Sequence, residues 1–201
     1  MQPFQRLDSV AMPIDRANVD TDQILPARYL QKPRVNDFGE YLFRDVRRRP
    51  DGTEDSDFVL NRPEYRDARI VVAARNFACG SSREHAVWAL YDHGFRAVVC
   101  SGFSDIFHAN AIKNGLLPIV LAQPQVDALL AMLLREPGAR VGVDLQACQV
   151  QFPDSSVVSF DIDPFARKCL LEGIDELDYT LGLRDRIEAF EAQNFHPQES
   201  M

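Results

Sequence analysis

The stretch Arg69-Ile-Val-Val-Ala-Ala-Arg-Asn-Phe-Ala-Cys-Gly-Ser-Ser-Arg-Glu-His-Ala-Val-Trp-Ala-Leu-Tyr91 decides how the chain folds. Arg69 to Ala74 reads as a buried strand, a short apolar run bounded by turn residues. Ala86 to Tyr91 reads as a helix that ends near Gly94. Between them the chain turns at Gly80 and presents Ser81, Ser82 and Arg83. Free backbone N–H groups at a helix start attract anions. An arginine there can hold a carboxylate or phosphate through two parallel hydrogen bonds. The expectation is that a small acid binds at this turn.

Strand and helix continue to alternate on the C-terminal side. Phe95 to Ser101 is a second buried strand, Phe103 to Asn114 a helix closed by Gly115, and Leu116 to Leu121 a third strand. Pro118 places that third strand at an edge or a bulge, because proline cannot donate to a ladder. Val126 to Arg135 is an amphipathic helix. Such alternation predicts an α/β layer with parallel strands. The last third differs. Residues 141–145, 148–152 and 157–161 are short strands separated by turn residues, and their alternation predicts a small, half-exposed antiparallel β layer. Asp163-Pro164 starts a helix through Leu171, with Gly173 just past its end. A last helix spans about Leu181 to Ala192.

On the N-terminal side, residues 4–12 form a first strand. The polar segment Asn18 to Gln23 is a loop whose acids can cap the short helical segment that follows, which Pro26 tolerates only near its start. Phe38 to Phe43 is one helical turn. Arg44 to Asp57 carries four arginines between residues 44 and 49, then an acidic run, with Pro50 and Gly52. It reads as a solvated polar loop. With no internal repeat and no long linker, the simplest architecture is one domain over residues 1–201, a mostly parallel sheet with helices plus the small antiparallel layer.

The chain has 201 residues, 46% hydrophobic and 26% charged, with a formal net charge of −8. That composition supports a real core. The negative balance argues against a nucleic-acid binder, which needs a basic face. No run is apolar enough to span a bilayer, and the N-terminus lacks a signal-peptide hydrophobic segment, so a cytoplasmic location is expected. The four cysteines Cys79, Cys100, Cys148 and Cys169 show no C-x-x-C spacing. Neither a zinc ribbon nor a local iron–sulfur loop is indicated, and disulfides are not expected.

Several chemistries compete at the central turn. Ser81-x-x-Glu84 matches a capping box, in which Ser and Glu each satisfy an N–H at the helix start. Arg83 in the first turn opposes the helix dipole unless an anion offsets it. The two readings can coexist. Cys79 with His85 suggests a thiol nucleophile and base, but nothing supplies an orienting carboxylate. Asp20-Thr21-Asp22 offers weak cation ligands or ordinary cap chemistry. His85, His93 and His108 form no H-x-x-x-H pair. Asn110 and Lys113 are secondary polar candidates on a packing helix.

Three strings occur in order: Asp20-Thr-Asp-Gln-Ile-Leu-Pro-Ala-Arg28, Gly80-Ser-Ser-Arg-Glu-His85 and Phe103-Ser-Asp-Ile-Phe-His-Ala-Asn-Ala-Ile-Lys-Asn-Gly-Leu-Leu-Pro118. Together with Phe38 to Phe43, Asp57 to Asn61 and Phe165 to Gly173, they resemble the swivel domain of the aconitase superfamily. The match is best with its stand-alone 3-isopropylmalate dehydratase small-subunit family, and it covers nearly the whole chain. The resemblance implies a single swivelling β/β/α domain. It also implies a hydro-lyase reaction of the leucine pathway, in which 2-isopropylmalate becomes 3-isopropylmalate through 2-isopropylmaleate. By residue, it implies Ser81 as the base, Arg83 as a carboxylate clamp and Ser82 as a substrate contact. Asp22 belongs to the orienting shell, and Arg28 is a second carboxylate contact. It further implies a four-iron, four-sulfur cluster anchored by three cysteines of a large subunit, so that this chain binds no cofactor and is inactive alone. The resemblance also leaves room for a related hydro-lyase acting on homoaconitate or citramalate, and for a non-catalytic interaction domain. An apolar wall for the substrate's alkyl group is expected from the loop Gln31 to Phe38.

Overall fold

The computed structural model describes residues 1–34 and 38–194. Its seam is strand β1 (Arg6–Ile14). Strand β2 (Ile70–Ala73) lies parallel to the C-terminal half of β1, with Ala11 opposite Ile70 and Ile14 opposite Ala73. Strands β3 (Ala97–Cys100) and β4 (Leu117–Val120) extend the parallel run. On the other side, β5 (Arg140–Asp144) pairs antiparallel with the N-terminal half of β1, from Arg6 opposite Asp144 to Val10 opposite Arg140. Strands β6 (Gln149–Gln151) and β7 (Val157–Ser159) follow, giving the order β4-β3-β2-β1-β5-β6-β7. The expected parallel and antiparallel parts are both present. They are joined rather than stacked, because β1 lends a different half of itself to each.

The helices are α1 (Thr21–Ile24), α2 (Arg44–Arg47), α3 (Glu84–His93), α4 (Asp105–Lys113), α5 (Gln123–Arg135), α6 (Pro164–Glu172), α7 (Glu176–Leu181) and α8 (Arg184–Asn194). Successive strand residues point to opposite faces. Met12, Ile14, Val71, Ala73, Val98 and Cys100 therefore share one core with Ala86, Val87 and Leu90 of α3 and with Phe107 and Ala111 of α4. Ile70, Val72, Ala97, Val99, Leu117 and Ile119 share the other with Val126, Leu129, Leu130 and Leu133 of α5. Both faces of the parallel strands are covered, which is why Ile70–Ala73 and Ala97–Cys100 read as continuous apolar runs. Pro118 sits on β4, an edge strand, as expected.

Two stretches depart from the sequence reading. Residues 44–57 are not a plain loop: α2 forms, and an isolated bridge pairs Arg48 with Glu54. Arg47 is 6% exposed and donates through Nη2 to the Glu40 carbonyl at 2.6 Å. Asn61 Nδ2 donates to the carbonyls of Arg47 and Asp55. These partners are distant in sequence, so the local polarity concealed them. The expected last helix, Leu181 to Ala192, forms as α8, starting at Arg184, and an unexpected short helix, α7, precedes it. Within the Gln31–Phe38 loop expected to form the alkyl wall, residues 35–37 lie outside the described residues.

Candidate functional site

The carboxyl ends of β1, β2 and β3 carry three loops, the place where open α/β sheets bind ligands. The loop after β2 is pinned from both sides. Parallel bridges join Cys79 to Asp20 after β1, and Phe77 to Phe103 after β3. Phe77 is fully buried and packs edge-on against Phe107, with ring centroids 6.1 Å apart. Asn76, Ala78 and Gly80 have φ of 60°, 58° and 94°. Asparagine and glycine adopt that region readily. Ala78 does not, and its conformation costs about 1–2 kcal/mol. Its carbonyl is held by Ser104 Oγ at 3.2 Å.

Ser81 faces α1. Asp20 caps α1 by accepting from the Gln23 N–H at 2.7 Å. The next residue, Thr21, is 1% exposed and places its Oγ1 2.9 Å from Ser81 Oγ. The Thr21 N–H donates to the Cys79 carbonyl at 3.0 Å, and the Cys79 N–H donates to the Val19 carbonyl at 3.2 Å. The two loops are thus stitched by main chain on both sides of the hydroxyl pair. Ser82 is exposed. Arg83 is the residue that precedes α3, and its guanidinium forms an ion pair with Asp22. That carboxylate offsets a cation at a helix N-terminus, as the dipole requires.

The expected capping box is not formed. Helix α3 begins at Glu84, with Arg83 in the cap position and no side-chain cap. Ser81 turns instead to Thr21, and Glu84 accepts from Asn114 Nδ2 at 2.8 Å. A tertiary partner has displaced the local one. Arg28 has different partners from this group. Asp45 on α2 holds its guanidinium as an ion pair and keeps it protonated well above the ordinary arginine value. It also lies over the Tyr29 ring. Among the described residues, no hydrogen bond or ion pair joins Arg28 to Ser81, Ser82, Arg83 or Asp22.

Cys79 contributes its backbone to the stitching, and no hydrogen bond links it to His85 among the described residues. His85 packs on Trp88 with ring centroids 4.4 Å apart. Burial lowers the pKa of His108, which sits on α4. The two residues that sequence reasoning missed are Thr21, passed over inside Asp-Thr-Asp, and Asn114, next to the expected Asn110 and Lys113. Asn114 also accepts from Arg34 Nη1 at 3.0 Å, and Arg34 grips Asp92 at 2.9 and 2.7 Å. Only the fold could join Thr21 to a serine 60 positions away. No group of three or more His, Cys, Asp or Glu among the described residues could hold a metal ion. Cys79, Cys100, Cys148 and Cys169 are free; Cys100 lies on β3, Cys169 on α6, and the other two in separate connections. No helix among the described residues is long and apolar enough to cross a membrane.

Comparison with known proteins gives a consistent picture. A family model described as the aconitase C-terminal domain matches residues 1–124, and a second, described as LeuD_N, matches residues 127–164. The 3-isopropylmalate dehydratase small subunit of Brucella canis is 46% identical over 194 residues, covering 96% of each chain. That of Azorhizobium caulinodans is 45% identical over 193 residues, again covering 96% of each. The solved structure of 3-isopropylmalate dehydratase from Methanocaldococcus jannaschii superposes with a TM-score of 0.64 at 26% identity, covering 92% of this chain and 99% of that one.

Proposed function

From the premise that this chain belongs to the 3-isopropylmalate dehydratase small-subunit family, we propose how its residues perform the reaction. The chain is a small subunit of a hydro-lyase of leucine biosynthesis, and it works with a large subunit. The substrate is a malate-type diacid with an isopropyl group, not nucleic acid or a membrane; a net charge of −8 repels polyanions. The reaction takes place in the cytoplasm, and residues 1–201 act as one swivel-type domain.

The observation that carries the residue assignment is the Ser81–Thr21 hydroxyl pair beside the Arg83–Asp22 ion pair at the strand ends. Ser81, as an alkoxide, removes the carbon-bound proton next to a carboxylate. The electron pair left on carbon forms the double bond as the neighbouring hydroxyl departs. Arg83 grips a substrate carboxylate with its planar fork, and Asp22 fixes the plane of that fork. The exposed Ser82 hydroxyl contacts the bound acid. Arg28 contacts the second carboxylate through N–H groups that Asp45 does not use, since a guanidinium has five. The iron–sulfur cluster belongs to the large subunit and supplies the Lewis acid for the departing hydroxyl.

The test is anaerobic reconstitution with a cluster-loaded large subunit, following 2-isopropylmalate turnover. Ser81→Ala should lower kcat by about 100- to 10,000-fold, the usual range for a lost general base. Full turnover by that variant would end the base assignment. Homoaconitate and citramalate serve in the same assay as competing substrates.

A further inference from the structure

Ser81 is a poor base unless something stabilises its alkoxide, and one side chain is placed to do so. Thr21 Oγ1 lies 2.9 Å from Ser81 Oγ, accepts from the Ser81 backbone N–H at 3.3 Å and lies 3.4 Å from the Ser81 carbonyl. A hydroxyl has one proton to give and two lone pairs to offer. The Thr21 proton can go to the Ser81 carbonyl or to Ser81 Oγ, and once Ser81 is an alkoxide with no proton to give, Thr21 is the donor between the two hydroxyls. The threonine is itself fixed: it is 1% exposed, its N–H is bonded to the Cys79 carbonyl, and it opens α1 behind the Asp20 cap. Branching at Cβ restricts its rotamer further.

We propose that Thr21 is the positioning residue for Ser81, holding its rotamer and donating a hydrogen bond that strengthens when Ser81 becomes an alkoxide. This rests on the reading of Ser81 as the base. A hydrogen bond to an ion is roughly twice as strong as one between neutral groups. The donated bond therefore favours the deprotonated serine and lowers its pKa. During turnover Ser81 gains the substrate proton, the electron pair goes to the substrate, and Thr21 keeps its own proton throughout. The titratable groups on the elements packed against Ser81 are Asp20 and Asp22 around α1, Cys79 on the loop, and Arg83, Glu84 and His85 at the start of α3. Asp105 and His108 stand on α4. Asp22 is paired with Arg83 and Glu84 accepts from Asn114, and an ionised carboxylate has no proton to donate to a Ser81 alkoxide.

The test uses the reconstituted two-subunit enzyme with Thr21→Val, Thr21→Ser and Ser81→Ala in parallel. Thr21→Val keeps the shape and removes the donor. It should lower kcat by about 10- to 100-fold, the range for losing a hydrogen bond to a charged group, with KM little changed. The limb of the kcat profile that rises with pH should move to higher pH. Thr21→Ser restores the donor and should return both rate and profile toward the parent. If Thr21→Val leaves the Ser81 N–H unpaired and fails to fold, Thr21→Cys fills the same space with a weak donor and should give an intermediate shift. Unchanged kcat and pH profile in the Val or Cys variant, with Ser81→Ala inactive, would overturn the positioning role alone. An active Ser81→Ala would overturn the base reading and this inference with it.

Discussion

Asp22 and Arg83 form an ion pair in which the Asp22 side chain is 55% exposed and the Arg83 side chain 25%. Exposed pairs contribute about 0–1 kcal/mol to stability. The pair is therefore better explained by orientation than by folding. Asp22→Asn should leave the melting temperature of the free subunit within the equivalent of about 1 kcal/mol, yet raise KM for the diacid several-fold in the reconstituted enzyme. A large loss of stability with KM unchanged would make the pair structural. At this scale the sequence exposed the residues with unusual chemistry in unusual places: a cation before a helix, two hydroxyls after a glycine. It did not expose Thr21. A buried hydroxyl looks like any other threonine until the fold brings its partner to 2.9 Å.

The elements were legible where burial is two-sided or a cap is local. Strands β2 and β3 are apolar throughout because α3 and α4 cover one face and α5 the other. Helix α6 begins where Asp163 accepts from the Phe165 and Ala166 N–H groups and stops at Gly173, whose φ is 72°. A Cβ on Gly173 would also come within 2.7 Å of Pro3. Elements set by distant partners were not legible. Helix α2 is polar in composition, and its Arg47 is buried with its guanidinium on the Glu40 carbonyl and its own carbonyl held by Asn61. Helix α4 carries a pH dependence of its own. Burial lowers the pKa of His108 from its ordinary value near 6.5, and Asp105 opposes that only in part. A depressed folded-state pKa gives stability that is present above the unfolded value and is lost as pH falls. The free subunit should therefore lose melting temperature as pH drops below about 6.5, and His108→Gln should lose less over the same interval. Parallel losses in both proteins would assign the effect elsewhere.

Across the molecule, the architecture explains why this chain is one wall of a site. The proposed reacting groups lie at the open end of the parallel strands, with Asp22 and Ser82 exposed to solvent. Base chemistry at carbon needs water excluded and a partner for the leaving hydroxyl. The cysteines cannot supply a cluster, for a physical reason: Cys100 is buried on β3 with its thiol on the Ala74 and Gly102 carbonyls, and Cys169 is buried on α6. A three-cysteine anchor would have to bring together residues that four separate parts of the fold hold in place. The full chain alone, treated anaerobically with iron, sulfide and a thiol, should therefore emerge without the visible absorption of an iron–sulfur cluster and without 2-isopropylmalate turnover. Adding cluster-loaded large subunit should raise activity in proportion until the two are equimolar per site, with this chain limiting thereafter. A stable cluster on this chain alone, or turnover without the partner, would show that the site is complete within one subunit.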